Sequence, residues 1–471
     1  MKVMKSTFLS DSKPLLRKLI NKLYESYRYV SVLGTDTKGK TYRVSKTGTV
    51  VTDYFLAERG FVVRIHNGVN YSEYSFNDID EDRLNTVVEE IHTKLNRVPK
   101  DMIVNSYPVL QEEEITREFC GEVEIDPEQL TSEQILKDLT AVRDAALAGS
   151  EHIVNFNVSY SFIHVSKIFL SGNKDLEQSY MLGESSMFAF ARREGKIKDY
   201  YKSLTGMQGY EITHKFKELY EYVVDQVIKL LDAKPVVPGE YEVICDPDIA
   251  GLIAHEAFGH GVEMDMFVKE RAKGDEFIGK QVASVKTTMH DGAAAIKHMA
   301  SYLFDDEGTL GTDTIEIQNG ILKSGISDLL SALKLGTIPT GNGRRQSFER
   351  KAYARMTNTF FEAGDDSYED MLASIQYGYQ LEYMFSGMED PKNWGIQCIA
   401  GVGREIKDGK FTGNLISPVI MTGYVPELLK SISMVSDKVE LEGAGYCWKG
   451  YKEIVKTSSG GPYIKAKARL S

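Results

Sequence analysis

Apolar residues recur at helical spacing in four stretches of the first half of the chain, separated by runs in which apolar and polar residues alternate. In 12–26, Leu15, Leu16, Leu19, Ile20 and Leu23 share one side, with Ser12 placed as the cap and Pro14 in the first turn. A second helix is predicted over 82–96 from Leu84, Val87, Val88, Ile91 and Leu95. A third opens on the capping box Thr131-x-x-Gln134 and runs to Gly149. The fourth, 212–231, carries Phe216, Leu219, Val223 and Val227 and stops before Pro235 and Pro238. Between them lie β-rich runs at 29–33, 41–45, 50–55, 61–66, 155–161, 164–171 and 179–192. The stretch 103–125 has little periodicity and reads as a connection with short strands, and His164, inside the predicted sheet, reads as structural.

From 236 onward the pattern turns β-rich. A strand over 240–245 leads into a helix capped by Asp246, with Pro247 in its first turn. Two hairpins are predicted, 314–317 with 321–326 around Asn319-Gly320, and 396–406 with 410–416 around Asp408-Gly409. Short helices are predicted over 328–335 and 368–381. Helices and strands thus interleave without a βαβ rhythm, and the fold class is α+β. An N-terminal domain of mixed helix and antiparallel sheet, 1–235, precedes a β-rich, barrel- or sandwich-like C-terminal domain, 236–471.

A chain of 471 residues is too long for one core, which agrees with that division. Hydrophobic content of 42% and charged content of 26% are ordinary for a globular protein. A net charge of −12 argues against a nucleic-acid-binding surface. No run of 18 apolar residues and no secretory leader are present, so neither a membrane span nor export is expected. The four cysteines, Cys120, Cys245, Cys398 and Cys447, form no C-x-x-C and suit reduced thiols in a cytoplasm. The segment from Thr340 to Arg345 is basic and glycine-rich but lacks the G-x-x-x-x-G-K-[ST] of a phosphate loop.

The chemistry concentrates in His255-Glu256-Ala257-Phe258-Gly259-His260. In the familiar H-E-x-x-H signature two histidines at i and i+4 hold zinc on one helix face, and the glutamate acts on the attacking water. Here the spacing is i, i+5, which on a regular helix turns the second ring about 140° from the first. One ion cannot be chelated that way. Gly259 and Gly261 flank His260, and a π-type widening or an unwound turn there would bring both rings to one side. A catalytic zinc takes a third protein ligand. Spacing leaves Glu270, Glu276 and Cys447 open for that place, and Glu263 could orient a ligand from behind.

Taken together, Leu252 to Asp265 (LIAHEAFGHGVEMD), Asp305-Asp306-Glu307-Gly308, Thr340-Gly341-Asn342-Gly343-Arg344-Arg345, Arg355-Met356-Thr357-Asn358-Thr359 and Gly445-Tyr446-Cys447 resemble the TldD/PmbA family of peptidases, once labelled modulators of DNA gyrase. The intact histidines place the chain with the metal-bearing TldD-type subunits. The resemblance implies zinc held by His255, His260 and Cys447, with Glu256 as general base. It also implies a dimer, with a second copy or a PmbA-like subunit, whose enclosed site admits peptides and unfolded proteins. Arg344, Arg345, Arg355 and Asn358 fall in its blocks and are assigned to substrate. Trp448 stands where the family commonly has a small residue, and Gly450-Tyr451 replaces its usual Gly-Gln. The expected function is a cytoplasmic zinc peptidase acting on peptides or unfolded polypeptides. The alternative is a catalytically silent peptide-binding or scaffolding subunit of a dimeric protease.

Overall fold

Ser6, rather than Ser12, starts the first helix, Thr7–Tyr24, in the computed structural model, which describes residues 1–95 and 106–471. The Ser6 hydroxyl accepts from Leu9 N at 3.2 Å, whereas Ser12 is buried and donates to the Phe8 carbonyl at 2.8 Å. A hydroxyl bonded back along its own helix marks an interior position, so Pro14 also falls inside the helix. The second helix, Glu81–Leu95, buries Leu84, Val87 and Ile91 as expected. Its expected end at Asn96, and 103–105 of the connecting stretch, lie outside the described residues. The capping box of Thr131 and Gln134 is formed in both directions at the start of Ser132–Ala148. The last helix of this half, Phe216–Leu230, follows a tight turn over Tyr210–Lys215.

These helices cover an eight-stranded sheet. Its order runs Tyr71–Phe76, Glu58–His66, Tyr29–Ser45, Ile153–Ser171, Lys174–Arg193, Ile115–Cys120. Gly48–Asp53 pairs with Tyr29–Ser45, and Lys196–Gly206, which the pattern does not announce, pairs with Lys174–Arg193. The expected breaks near 34–40 and 162–163 do not occur. A Cβ on Gly39 would sit 2.1 Å from Phe162 O, so glycine here lets two long strands pass in close register. Leu16, Leu19, Val32, Val63 and Ile91 form one core under the first two helices. Ile135, Leu139, Phe156, Tyr160, Val223 and Val227 form another under the later pair. His164 is buried, with Nε2 2.9 Å from Met4 O and 3.0 Å from Ser179 Oγ.

Beyond residue 236 the strands assemble separately from that sheet. Gly239–Cys245, Ile464–Leu470, Val419–Tyr424, Gly395–Lys407 and Tyr377–Asp390 pair in sequence, and the last returns to the first in parallel, closing a barrel of five strands. Closure removes free edges over most of the ring. The helix expected over 368–381 ends at Ala373, and Tyr377 begins a strand. A Cβ on Gly378 would lie 2.0 Å from Glu242 O, so backbone contact with the neighbouring strand overrides the helical spacing of the local apolar residues. A six-stranded sheet adjoins the barrel and contains Met289–Asp291, Asn358–Phe361 and Ser458–Gly461. Both predicted hairpin turns form, with positive φ at Asn319, Gly320, Asp408 and Gly409. Among the described residues no helix is long and apolar enough to cross a membrane.

Candidate metal centre

Asp246 begins the element that carries the motif. Its Oδ1 accepts from Ile249 N at 2.9 Å, and Pro247 occupies the first turn of Pro247–Leu252. The chain then widens to a π-helix over Ile253–Phe258 and tightens to a 3₁₀ turn over Gly259–Val262. The widening begins one turn earlier than the glycines suggested. Ile249, Leu252, Ile253, Ala257 and Phe258 anchor the segment in a core shared with the barrel residues Val243, Ile396, Cys398 and Ala466. The wider turn brings His255 and His260 to the same side, with ring centroids 5.3 Å apart and planes at 86°.

Cys447 reaches this side from the hairpin Tyr446–Lys449 with Glu453–Lys456. Its Sγ lies 3.7 Å from His260 Nε2, and ligand atoms of His255, His260 and Cys447 all fall within 4.8 Å of one another. Glu270 and Glu276 are exposed and outside this group. Trp448 alternates to the opposite face and is 62% exposed, so the departure from the family pattern does not displace Cys447.

A thiolate and two imidazoles are a donor set suited to zinc. Burial acts to raise the Cys447 thiol, but the charge of His260 and hydrogen bonds to both imidazoles outweigh it and bring the thiol well below its ordinary range. Burial likewise opposes protonation of His260, and Cys447 and Glu263 overcome it, raising that imidazole well above its usual value. His255 Nδ1 is buried without a hydrogen-bond partner among the described residues, so the protein leaves that nitrogen unused. The residues therefore fit a metal ion.

Glu256 stands beside this trio. Its Oε2 is 3.7 Å from His260 Nε2 and its Oε1 3.9 Å from His255 Nε2, and its side chain keeps 27% exposure, enough to meet water. Glu263 Oε2 lies 3.2 Å from His260 Nδ1. Burial raises the Glu263 carboxyl, but Lys449 and His260 win and hold it at about 2.

The residues assigned to substrate are engaged in hydrogen bonds and ion pairs of the fold. Arg344 donates to the carbonyls of Met356 and Lys456 at 2.7 and 2.6 Å. Arg345 pairs with Glu73 at 2.9 Å. Arg355, fully buried, donates to the carbonyls of Cys447 and Glu453 and thereby clamps the hairpin. Asn358, also fully buried, donates to Gly292 O, Ile296 O and Ser301 Oγ. Sequence reasoning missed Lys449, Gly387 and Glu389. Lys449 could have been found from its place two residues past Cys447, on the same strand face. Gly387 lies against Glu256, and both Glu389 carboxylate oxygens are buried without a hydrogen-bond partner among the described residues. Nothing in the local pattern signals either one.

Residues 238–469 match the PmbA/TldA metallopeptidase C-terminal domain. A metalloprotease of Methanocaldococcus jannaschii is 31% identical over 68% of this chain and 70% of its own length. A zinc metalloprotease TldD homolog of Saccharolobus solfataricus is 28% identical over 66% of this chain and 70% of its own. Among solved structures, a putative modulator of DNA gyrase from Thermotoga maritima superposes with a TM-score of 0.79 at 18% identity, covering 98% of this chain and 100% of that one. TldE from Thermococcus kodakarensis gives 0.77 at 18% identity, covering 97% and 99%. With its fold, its His-His-Cys cluster and these relatives in agreement, the chain belongs to the PmbA/TldD family of metallopeptidases.

Proposed function

We propose that the chain is a zinc-dependent peptidase that cleaves unfolded polypeptides or peptides, with His255, His260 and Cys447 as ligands and Glu256 as general base. The observation that carries this reading is the placement of Glu256 within 4 Å of both imidazoles without its joining the ligand trio. Zinc, when bound, supplies Lewis acidity toward water and toward the scissile carbonyl. Glu256 takes the proton of the attacking water at a carboxylate oxygen and returns it to the leaving amine nitrogen. Glu263 keeps His260 Nδ1 engaged, leaving Nε2 for the ion.

Substrate binding follows from the strand Tyr377–Asp390. Its pairing with Gly239–Cys245 stops at Leu381, and among the described residues 384–390 pairs only with Gly395–Lys407. An extended chain adding to this edge would run past Glu256, which packs against Gly387. Such an edge reads backbone rather than side chains, which suits an enzyme of broad specificity. In this reading residues 236–471 form the catalytic domain and residues 1–235 a second domain. A second copy or a PmbA-like subunit then encloses the site. Arg355 and Asn358 serve by holding the site's frame.

Zinc content and cleavage of an unfolded substrate, measured on wild type and Glu256→Gln, test the proposal. Zinc retained at one ion per chain with cleavage abolished is expected. Cleavage unchanged by the substitution would remove Glu256 from the mechanism, and a wild type with zinc but no cleavage would favour a scaffolding subunit.

A further inference from the structure

Lys449 joins two parts of the centre that are far apart in sequence. Its ammonium lies 3.0 Å from Glu263 Oε2, 2.6 Å from Asp265 Oδ1 and 2.8 Å from Ala354 O, with only 11% of the side chain exposed. Both carboxylates are buried, at 2% and 7% exposure. Burying a carboxylate without a partner is costly, so this ammonium helps both acids stay buried, with Lys269 as a second partner of Asp265 at 3.1 Å. The Oε2 atom that takes the Lys449 ammonium is the one that faces His260 Nδ1. Lys449 is also two residues from Cys447 on a strand, so both side chains leave the same face. One cation therefore bears on His260 through Glu263 and on Cys447 through its own backbone.

Arg355 already holds this hairpin by the Cys447 carbonyl. That contact fixes the strand, and the Arg355 charge also bears on Glu263. Besides the contact of Cys447 with His260, Lys449 ties hairpin to motif through Glu263 and Asp265.

We propose that Lys449 is a positioning residue of the metal centre, which sets the ring of His260 through Glu263 and holds Cys447 at the distance from it that zinc requires. The proposal rests on the metal reading above. Residues that orient metal ligands from behind contribute about 10–100-fold in metal affinity, and that is the loss expected for Lys449→Met.

The test measures zinc affinity of the full chain by competition with a chromogenic chelator, for wild type, Lys449→Met, Glu263→Gln and the double variant. Circular dichroism of each metal-free protein checks the fold. Both single variants are expected to bind zinc about 10–100-fold more weakly. The double variant should be no weaker than the weaker single, because both changes break one relay. Cobalt in place of zinc reports the other arm, as a weakened thiolate charge-transfer band in Lys449→Met. Wild-type zinc affinity in Lys449→Met, or losses that simply multiply in the double variant, would overturn the proposal. Should Lys449→Met not fold, Glu263→Gln carries the test, and unchanged zinc affinity there overturns it equally. A wild type that binds no zinc would instead defeat the metal reading itself.

Discussion

Gly387→Ala tests whether the strand 384–390 forms the wall against which Glu256, the proposed general base, is set. A Cβ at this position would stand 2.8 Å from both Cβ and Cγ of Glu256 and 2.7 Å from Leu252 Cδ1. Carbon atoms settle at about 3.5–4.0 Å, so strand or base must retreat by roughly 0.7–1.2 Å. The Leu252 methyl can swing aside, but Glu256 Cβ moves only with its helical turn. A displacement of about 1 Å at a reacting group lowers turnover by roughly 100-fold. Overpacking costs a further 1–3 kcal/mol or so of stability. Steady-state cleavage of an unfolded substrate should therefore fall by about two orders of magnitude while zinc content stays at wild type. Gly395→Ala, in the adjoining strand, is the control, because a Cβ there meets nothing within 4 Å. Cleavage by Gly387→Ala within a few-fold of the Gly395→Ala control would refute this account of how Glu256 is positioned.

Three further tests concern the ligand trio and the N-terminal sheet. Cys447→Ser replaces a thiolate by a poor zinc ligand, so zinc should be lost on dialysis and cleavage with it. A chelator should likewise stop wild-type cleavage until zinc is restored, and resistance to both treatments would exclude the ligand trio. Burial pushes the Glu58 carboxyl up from 4.5 to about 7. Between those values the native chain holds a proton that the unfolded chain has released, so Glu58 makes stability fall as pH rises through that window. Glu58→Gln should flatten that fall in denaturant titrations from pH 4.5 to 7, and an unchanged slope would remove Glu58 as its source.

Features set by a few neighbouring residues were legible in the sequence. The capping box of Thr131 and Gln134 and the turns at Asn319-Gly320 and Asp408-Gly409 formed as read, because their geometry is dictated within four residues. The need for a distorted turn was legible too, since an i, i+5 histidine pair has no other way to meet. What failed was decided at long range. Ser12 lost the cap because Leu9 extends the apolar face by a turn, and 377–381 became strand because it lies between two barrel staves. The place of Cys447 could not be read from spacing, because 187 residues separate it from His260. Resemblance named it. The contacts of Arg355 and Asn358 were hidden for the same reason, since each depends on partners brought together only by the folded sheets, whereas Lys449 was signalled only by its place beside Cys447.

A π turn can be viewed as an α-helix holding one residue more than its hydrogen bonds require, so the surplus is confined to a single turn. Deleting a residue such as Ala257 would give the shorter H-E-x-x-H spacing. The widened turn would then close to a regular one, and the residues beyond it would keep their places. Gly259, where a Cβ would meet Met356 Sδ at 2.2 Å, and Glu263, bridged to Ile326, would keep their neighbours. The i, i+5 pair in its wide turn and an i, i+4 pair in a regular turn are thus two ways to present the same two rings, and the packing that follows is indifferent to which is used.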